Sequence, residues 1–352
     1  MEKLIDYLQH AVNTSASDLF FIAGGPVSMK IDGRIVPVGE NKLLPPDTKI
    51  FIEEIYQMAG RSMDDFVKLG DDDFSFAVPG LSRFRVNAYR QRNSTAAVIR
   101  VVSFDIPDWK EIGIPKEIID LSNVRDGMVL FTGTAGSGKS TTQACIIDQI
   151  NRTRDCHIIT LEDPIEYLHK NRRSIVSQRE IAIDTADYLS ALRACLRQAP
   201  DVILLGEMRD AETIRTAITA AETGHTVIAT MHTKGSVNAI DRVIDCFSES
   251  QQSQIRFQLA TVLRTVVSQQ MLPDVDGNMV PAFEIMHVNN AIRGMIRENK
   301  NYQIENAITA GKAEGMVSMD AYLIGLYNEG RISRETVLNY ATHPDHVTRH
   351  LH

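Results

Sequence analysis

The sequence predicts an α/β protein in which a mostly parallel-sheet domain carries a phosphate loop, with a smaller α+β domain ahead of it and helices behind it. Three observations predict this. From Met128 onward short apolar runs alternate with longer amphipathic segments, the pattern of a parallel sheet with helices on its faces. Between one such run and the next amphipathic segment stands Gly133-Thr134-Ala135-Gly136-Ser137-Gly138-Lys139-Ser140, a match to G-x-x-x-x-G-K-[ST]. The first hundred residues instead alternate short β-type runs with turn dipeptides, which reads as hairpins.

Taken in order, residues 1–102 form the expected N-terminal domain. Leu4, Ile5, Leu8 and Val12 recur at helical spacing. Strands are expected at Leu19–Ile22, Met29–Ile31 and Arg34–Val38, the last two joined by Asp32-Gly33. A helix is expected over Thr48–Met58, then strands Phe74–Val78 and Phe84–Tyr89 around Pro79-Gly80, and a final strand Thr95–Val102. Residues 103–115, with Pro107 and Pro115 and mixed polarity, read as a flexible linker. Residues 116–280 are the expected phosphate-loop domain, with strands at Met128–Phe131, His157–Leu161, Val202–Leu205 and Thr226–Ala229. Residues 281–352 read as helical from Pro281 to the end.

Composition narrows the function. The 352 residues suggest two or three domains. Thirty-seven Lys and Arg against 45 Asp and Glu leave a net charge of −8, which argues against nucleic acid as the main partner. No apolar run reaches the roughly 18–20 residues that span a bilayer, and the N-terminus lacks the order of a secretory signal. The four cysteines, Cys145, Cys156, Cys195 and Cys246, form no C-x-x-C pair, so a zinc ribbon is not expected and a reducing cytosol is.

The chemistry concentrates at strand ends. In the loop, the glycines let successive N–H groups face one phosphate cluster, Lys139 would reach the β- and γ-phosphates, and the Ser140 hydroxyl would coordinate Mg²⁺. Thr141 opens the helix whose positive dipole end faces the anion. Glu162-Asp163-Pro164-Ile165-Glu166 follows one apolar strand, and Gly206-Glu207-Met208-Arg209-Asp210 follows another. Acids at such positions either hold a metal and orient water or cap the next helix, and Asp210 and Glu212 read as caps. His232 ends a third strand, either as a γ-phosphate sensor or as a structural hydrogen-bonding residue; His157, His169, His225 and His287 read as structural. Arg83, Arg85, Arg90 and Arg92 crowd one hairpin, Arg83 and Arg85 expected on one strand face and Arg90 and Arg92 on the other, as a solvated, acid-paired edge or as charge supplied to a neighbouring subunit.

Together these motifs resemble the secretion-type hexameric ATPases, and within them the PilT-like type IV pilus retraction motors. Leu161–Glu166 is similar to that family's Asp box, Asp201–Asp210 to its atypical Walker B, and Met231-His232-Thr233, preceded by Ala220–His225, to its His box. Gln178-Arg179-Glu180 and Ala191-Leu192-Arg193 also fall at family-like places. Ala291–Glu298 is similar to A-I-R-N-L-I-R-E, differing at Gly294 and Met295. The resemblance implies a RecA-like ATPase domain behind a PAS-like domain, ATP and Mg²⁺ as cofactors, and a homo-oligomer, a hexamer, at the inner face of the cytoplasmic membrane. It implies retraction of pili (twitching motility) through an inner-membrane platform protein, with no nucleic acid. It assigns Gly133–Thr141 to ATP, Ser140 and Glu207 to the metal, and Glu166 to the attacking water with Glu162 behind it. His232 would couple the γ-phosphate to domain movement, and Arg83, Arg85 and Arg90 are the candidates for charge supplied in trans. Two other readings stay open: a related motor for pilus extension, protein export or DNA uptake, and an ATP-binding assembly factor with little turnover.

Overall fold

The structure, a computed structural model, describes residues 3–31, 33–102 and 106–351. The chain forms two units, one built before Ile106 together with Glu166–Leu168, the other from Ile106–Ile165 and His169 onward.

In the first unit, helices α1 (Leu4–Asn13), α2 (Pro45–Ala59) and α3 (Asp64–Leu69) accompany strands β1 (Asp18–Phe21), β2 (Ser28–Ile31), β3 (Arg34–Pro37), β4 (Asp71–Val78), β5 (Ser82–Gln91) and β6 (Ser94–Val102). The strands form one antiparallel sheet in the order β3-β2-β1-β6-β5-β4. Period-2 alternation sends Phe84, Val86 and Ala88 of β5 into the core while Arg83 and Arg85 take the opposite face. α1 buries Leu4, Leu8 and Ala11 at helical spacing, and Tyr7 packs edge-on to Phe21 and Phe51. α2 starts on Pro45 and ends at Gly60, the usual asymmetry of a bounded helix. The Asp32-Gly33 turn was expected between β2 and β3; Asp32 lies outside the described residues. α3 was not expected, because a six-residue helix burying only Phe66 has no periodic signature.

The second unit contains α4 (Lys116–Ile119), β7 (Gly127–Thr132), α5 (Lys139–Thr153), β8 (His157–Glu162), β9 (Ile175–Glu180), α6 (Tyr188–Cys195), β10 (Val202–Leu205), α7 (Ala211–Glu222), β11 (Thr226–Met231), α8 (Ser236–Asp245), α9 (Glu249–Val262), β12 (Leu263–Pro273) and β13 (Met279–His287). Helices α10 (Asn290–Arg297), α11 (Ile304–Ala310), α12 (Met319–Asn328), α13 (Arg334–Tyr340) and α14 (Pro344–Val347) complete it. The sheet order is β13-β12-β7-β11-β10-β8-β9, parallel throughout except for the β12–β13 hairpin. Alternate residues feed two cores: Met128, Leu130, Ile203 and Leu205 meet α6 to α10, whereas Val129, Phe131, Val202 and Leu204 meet α4 and α5. Burial on both faces is why these strands read as unbroken apolar runs.

Two expectations are corrected. The chain is not helical from Pro281: Met279–His287 is strand β13, because an edge strand tolerates a proline that a central strand would not. Arg92 does not share a strand face with Arg90; it has left β5 and sits with φ +44° in the turn to β6. Of the expected linker, Ser103–Asp105 lies outside the described residues, and from Ile106 the chain packs on the second unit, with Ile114 buried beside Cys145 and Ile146 of α5.

Candidate nucleotide site

The parallel strands β7, β8, β10 and β11 all end at one edge of the sheet, where an open α/β fold binds its ligands. β7 delivers the chain at Thr132 into the loop Gly133–Gly138, and α5 begins at Lys139. Gly133 has φ +146°, and a Cβ there would lie 2.3 Å from the Gln269 carbonyl oxygen, so only glycine fits. The buried Lys139 ammonium crosses back over the loop, donating to Gly133 O (2.7 Å), Thr134 O (2.8 Å) and Ser137 Oγ (3.3 Å). Ala135, Gly136, Ser140 and Thr141 complete the predicted stretch around the N-terminus of α5, a ready anion site.

Neighbouring strands hold this loop. Thr142 Oγ1 of α5 donates to Gln269 Oε1 of β12 (2.9 Å), and Gln143 Nε2 donates to Thr230 Oγ1 of β11 (2.9 Å). The Thr132 hydroxyl bonds the Thr233 carbonyl and its hydroxyl, so the residue before the loop is tied to the residue after His232. Gln143, Thr230 and Gln269 carry no motif. Only the strand register brings them to the loop, and no sequence signal marks them.

Glu207 follows β10. The preceding Gly206 lies so close to the end of β8 that a Cβ would meet Tyr188 Oη at 2.9 Å and Leu161 O at 3.0 Å. Met208 N–H donates to Thr230 O (3.0 Å), pinning the turn to β11. Glu207 Oε2 lies 2.6 Å from Arg209 Nη2 and 3.4 Å from His232 Nε2. Burial alone would raise the Glu207 carboxyl, but the Arg209 hydrogen bond and His232 outweigh it and hold the group below the usual carboxylate range. Burial, reinforced by Asp163, Glu207 and Glu162, pushes the Tyr188 phenol up. Asp210 is the N-cap of α7, accepting from Thr213 N (2.9 Å) and Thr213 Oγ1 (2.7 Å).

Glu162 ends β8, where its Oε1 accepts from Thr160 Oγ1 (2.5 Å) and Gln178 Nε2 (3.2 Å). Glu166 is exposed and falls in the stretch Glu166–Leu168 that belongs with the first unit. In that unit, Arg85 forms a two-point pair with Asp73 (3.1 and 2.6 Å) and the Arg90 guanidinium lies 5.7 Å from the Phe66 ring centre. Arg83 stands on the Arg85 face of β5, half-buried. The second unit thus gathers the loop, Glu162, Glu207 and His232 at the strand ends.

Beside Gly138 and Thr141 opens a cavity of about 410 Å³ in which Ile112, Ile114, Met271 and Met279 share the lining with Glu111, Gln269, Asp274, Asn278 and Arg331. A wall part apolar and part hydrogen-bonding suits the heterocyclic end of a nucleotide whose phosphates lie in the loop. The donor set also suits a hard divalent ion: a hydroxyl at Ser140 and an ionised carboxylate at Glu207, with no group of three His, Cys, Asp or Glu gathered as a metal cage among the described residues. Mg²⁺ is held that way, by one or two protein oxygens and the substrate phosphates.

A family model described as "Type II/IV secretion system protein" matches residues 1–314. The chain is 41% identical to the type IV pilus retraction ATPase PilT of Pseudomonas aeruginosa over 97% of its own length and 99% of the relative's. It is 43% identical to a twitching motility protein of Neisseria gonorrhoeae, over 78% of this chain and 74% of that one. The crystal structure of the pilus retraction motor PilT with bound ADP superposes with a TM-score of 0.90 at 40% identity, covering 99% of this chain and all of the other.

Proposed function

Since the chain belongs to the type II/IV secretion system protein family, as a PilT-like member, we propose that it is a Mg²⁺-dependent ATPase acting as a homo-oligomeric ring, a hexamer, that powers type IV pilus retraction. The observation that carries this reading is the convergence of the Lys139 loop, Glu207, His232 and Glu162 at one sheet edge. The relative's crystal structure with ADP supports a nucleotide as the ligand.

The residues divide the work. The loop N–H groups and Lys139 bind the phosphates, and the mixed apolar and polar cavity beside Gly138 takes the base. Ser140 and Glu207 would hold Mg²⁺, which when bound neutralises charge on the β- and γ-phosphates. For the carboxylate that orients the attacking water we keep Glu166, with Glu162 behind it. What supports a carboxylate role for this cluster is its place after β8, beside the strand that leads to Glu207. His232 would respond to the γ-phosphate, a role its 3.4 Å approach to Glu207 supports. Loss of that phosphate releases contacts and lets a two-unit chain change its arrangement, the general form of a hinge motor. Among the described residues no helix is long and apolar enough to cross a membrane. The likeness to a type IV pilus retraction ATPase is what supports placing the ring at the inner face of the cytoplasmic membrane, working on an inner-membrane platform protein, with Arg83, Arg85 or Arg90 supplying charge across subunits.

The test is steady-state hydrolysis and light scattering on the full chain and on Glu207→Gln. A ring of about six chains with Mg²⁺-dependent turnover that the variant loses supports the motor. A chain that binds ATP without turnover overturns it in favour of an assembly factor. In cells, deletion producing excess, non-retracting pili supports retraction, whereas loss of pili points to an extension motor.

A further inference from the structure

His232 follows β11, and the residues after it are gripped by side chains that no motif marks. Strands β7, β12 and β13 lie side by side, with Thr132 opposite Ser268 and Ser268 opposite Glu284. Residues opposite one another on neighbouring strands share a sheet face, so the three side chains form one row. All three are buried. The row meets the loop after His232 almost residue by residue. Thr132 Oγ1 lies 2.6 Å from Thr233 Oγ1, Ser268 Oγ accepts the Gly235 N–H (3.0 Å), and Glu284 Oε1 accepts the Ser236 N–H (2.8 Å). Ser236 opens α8, and its N-cap, Gly235, has no side chain with which to receive the first N–H groups of the helix. A buried helix start needs acceptors from elsewhere, and here β12 and β13 supply them. The other Glu284 oxygen, Oε2, lies 3.5 Å from Met319 N at the start of α12.

We propose that Ser268 and Glu284 are positioning residues for His232: with Thr132 they hold the loop 233–236 and so fix the backbone from which the imidazole reaches toward the phosphates. The inference rests on the role given to His232 above. The imidazole is exposed and its contact with Glu207 Oε2 is long, 3.4 Å, so the ring is not held by packing and its backbone sets its direction. A group that must meet a phosphate loses rate steeply when it is displaced by about 1 Å. Glu284 stands between Phe283 and Ile285 in a strand buried along most of its length, where a carboxyl without partners costs far more than an apolar residue of like size. The two N–H groups that face it, one on each helix start, account for its presence there.

Ser268→Ala, Glu284→Leu and Glu284→Gln are compared with the parent as full chains, each alone and combined with His232→Ala. Single-turnover hydrolysis of radiolabelled ATP keeps slow variants measurable, and affinity for a fluorescent ATP analogue and melting temperature are read beside it. Glu284→Leu should slow hydrolysis about tenfold or more and Ser268→Ala about threefold to tenfold, with analogue affinity within about twofold of the parent. Glu284→Gln keeps an acceptor for the Ser236 N–H by turning its amide oxygen there, and should stay within about threefold of the parent rate. In chains that already carry His232→Ala, none of the three should slow hydrolysis further, because the group they position is gone. Equal losses with and without His232 overturn the proposal, since the row then serves the fold alone. A parent-like rate in Glu284→Leu or in Ser268→Ala, or a fall in analogue affinity to match the fall in rate, overturns it too while the role of His232 stands. If His232→Ala itself keeps the parent rate, the role of His232 fails and the proposal fails with it. Should Glu284→Leu not fold, Ser268→Ala, which removes one hydroxyl, carries the same comparison.

Discussion

A carboxylate that is to hold a divalent metal must stay ionised while half-buried, and at Glu207 two neighbouring side chains, Arg209 and His232, oppose the cost of burial. The exposed Arg209 makes the closer contact, 2.6 Å, and His232 the longer, 3.4 Å. A carboxyl held low stays charged to lower pH, so its ionisation-linked stabilisation is present at neutral pH and is lost as pH falls through the depressed value. Arg209→Ala removes the largest opposing cause. Its Glu207 should protonate at higher pH, and the acid limb of the kcat/KM profile should move upward relative to the parent while the rate at neutral pH changes little. An unmoved limb would mean that Arg209 merely covers the surface. One residue earlier, the glycine is set by crowding rather than by backbone conformation. In Gly206→Ala the added methyl meets Tyr188 Oη and the Leu161 carbonyl, so β8 and β10 must part. We expect a loss of about 1–3 kcal/mol by denaturant unfolding. Adding Tyr188→Phe relieves one contact of the two and should leave the variant below the parent. The Gly-Glu pair is plain in the sequence, but its reason is not, because Tyr188 and Leu161 reach it from other elements.

Elements were legible where one physical signal dominated. Strands β7, β8, β10 and β11 are buried on both faces and read as apolar runs, and the loop after β7 read as a phosphate cradle because motif, strand and helix agreed. Asp210 read correctly as a cap, since an acid before an amphipathic run is local information. β9 and β13 escaped as edge strands, one polar, one carrying Pro281, and the interior strand β12 escaped because it follows α9 without a turn and Ser268, Gln269 and Gln270 interrupt its apolar run. The hydrogen bonds that brace the site escaped for a different reason. Thr132 to Thr233, Thr142 to Gln269 and Gln178 to Glu162 depend on register between strands and helices far apart in the chain. In α10, Gly294 departs from the family-like pattern, and a Cβ there meets nothing within 4 Å. Gly294→Ala should therefore stabilise the chain by about 0.5–1 kcal/mol through helix propensity alone, read as a higher denaturant midpoint at unchanged slope. A fall in stability would mean that the helix bends at this glycine.

At the scale of the whole molecule, the question is whether a ring closes its own active sites. The arginines of β5 lie in the first unit and the phosphate loop in the second, so the candidate trans charge and the loop belong to different units of the chain. Arg85 is engaged by Asp73 and Arg90 rests near Phe66, so neither identifies the group that reaches a γ-phosphate. Mixing variants decides it without knowing the geometry. Lys139→Ala chains cannot bind phosphate productively, and chains with Arg83, Arg85 or Arg90 replaced by alanine lack the candidate charge; for the true arginine, each variant alone should be nearly inactive. If that arginine acts across the subunit boundary, a mixed ring contains junctions where an intact arginine from a Lys139→Ala chain meets an intact loop of its neighbour, and hydrolysis returns to a substantial fraction of the parent rate. If the arginine acts within its own chain, no site in a mixed ring is complete and the mixture stays as inactive as its parts. Returned activity for one of the three arginines would make the ring a requirement of the chemistry, since a single chain could then never complete its own site.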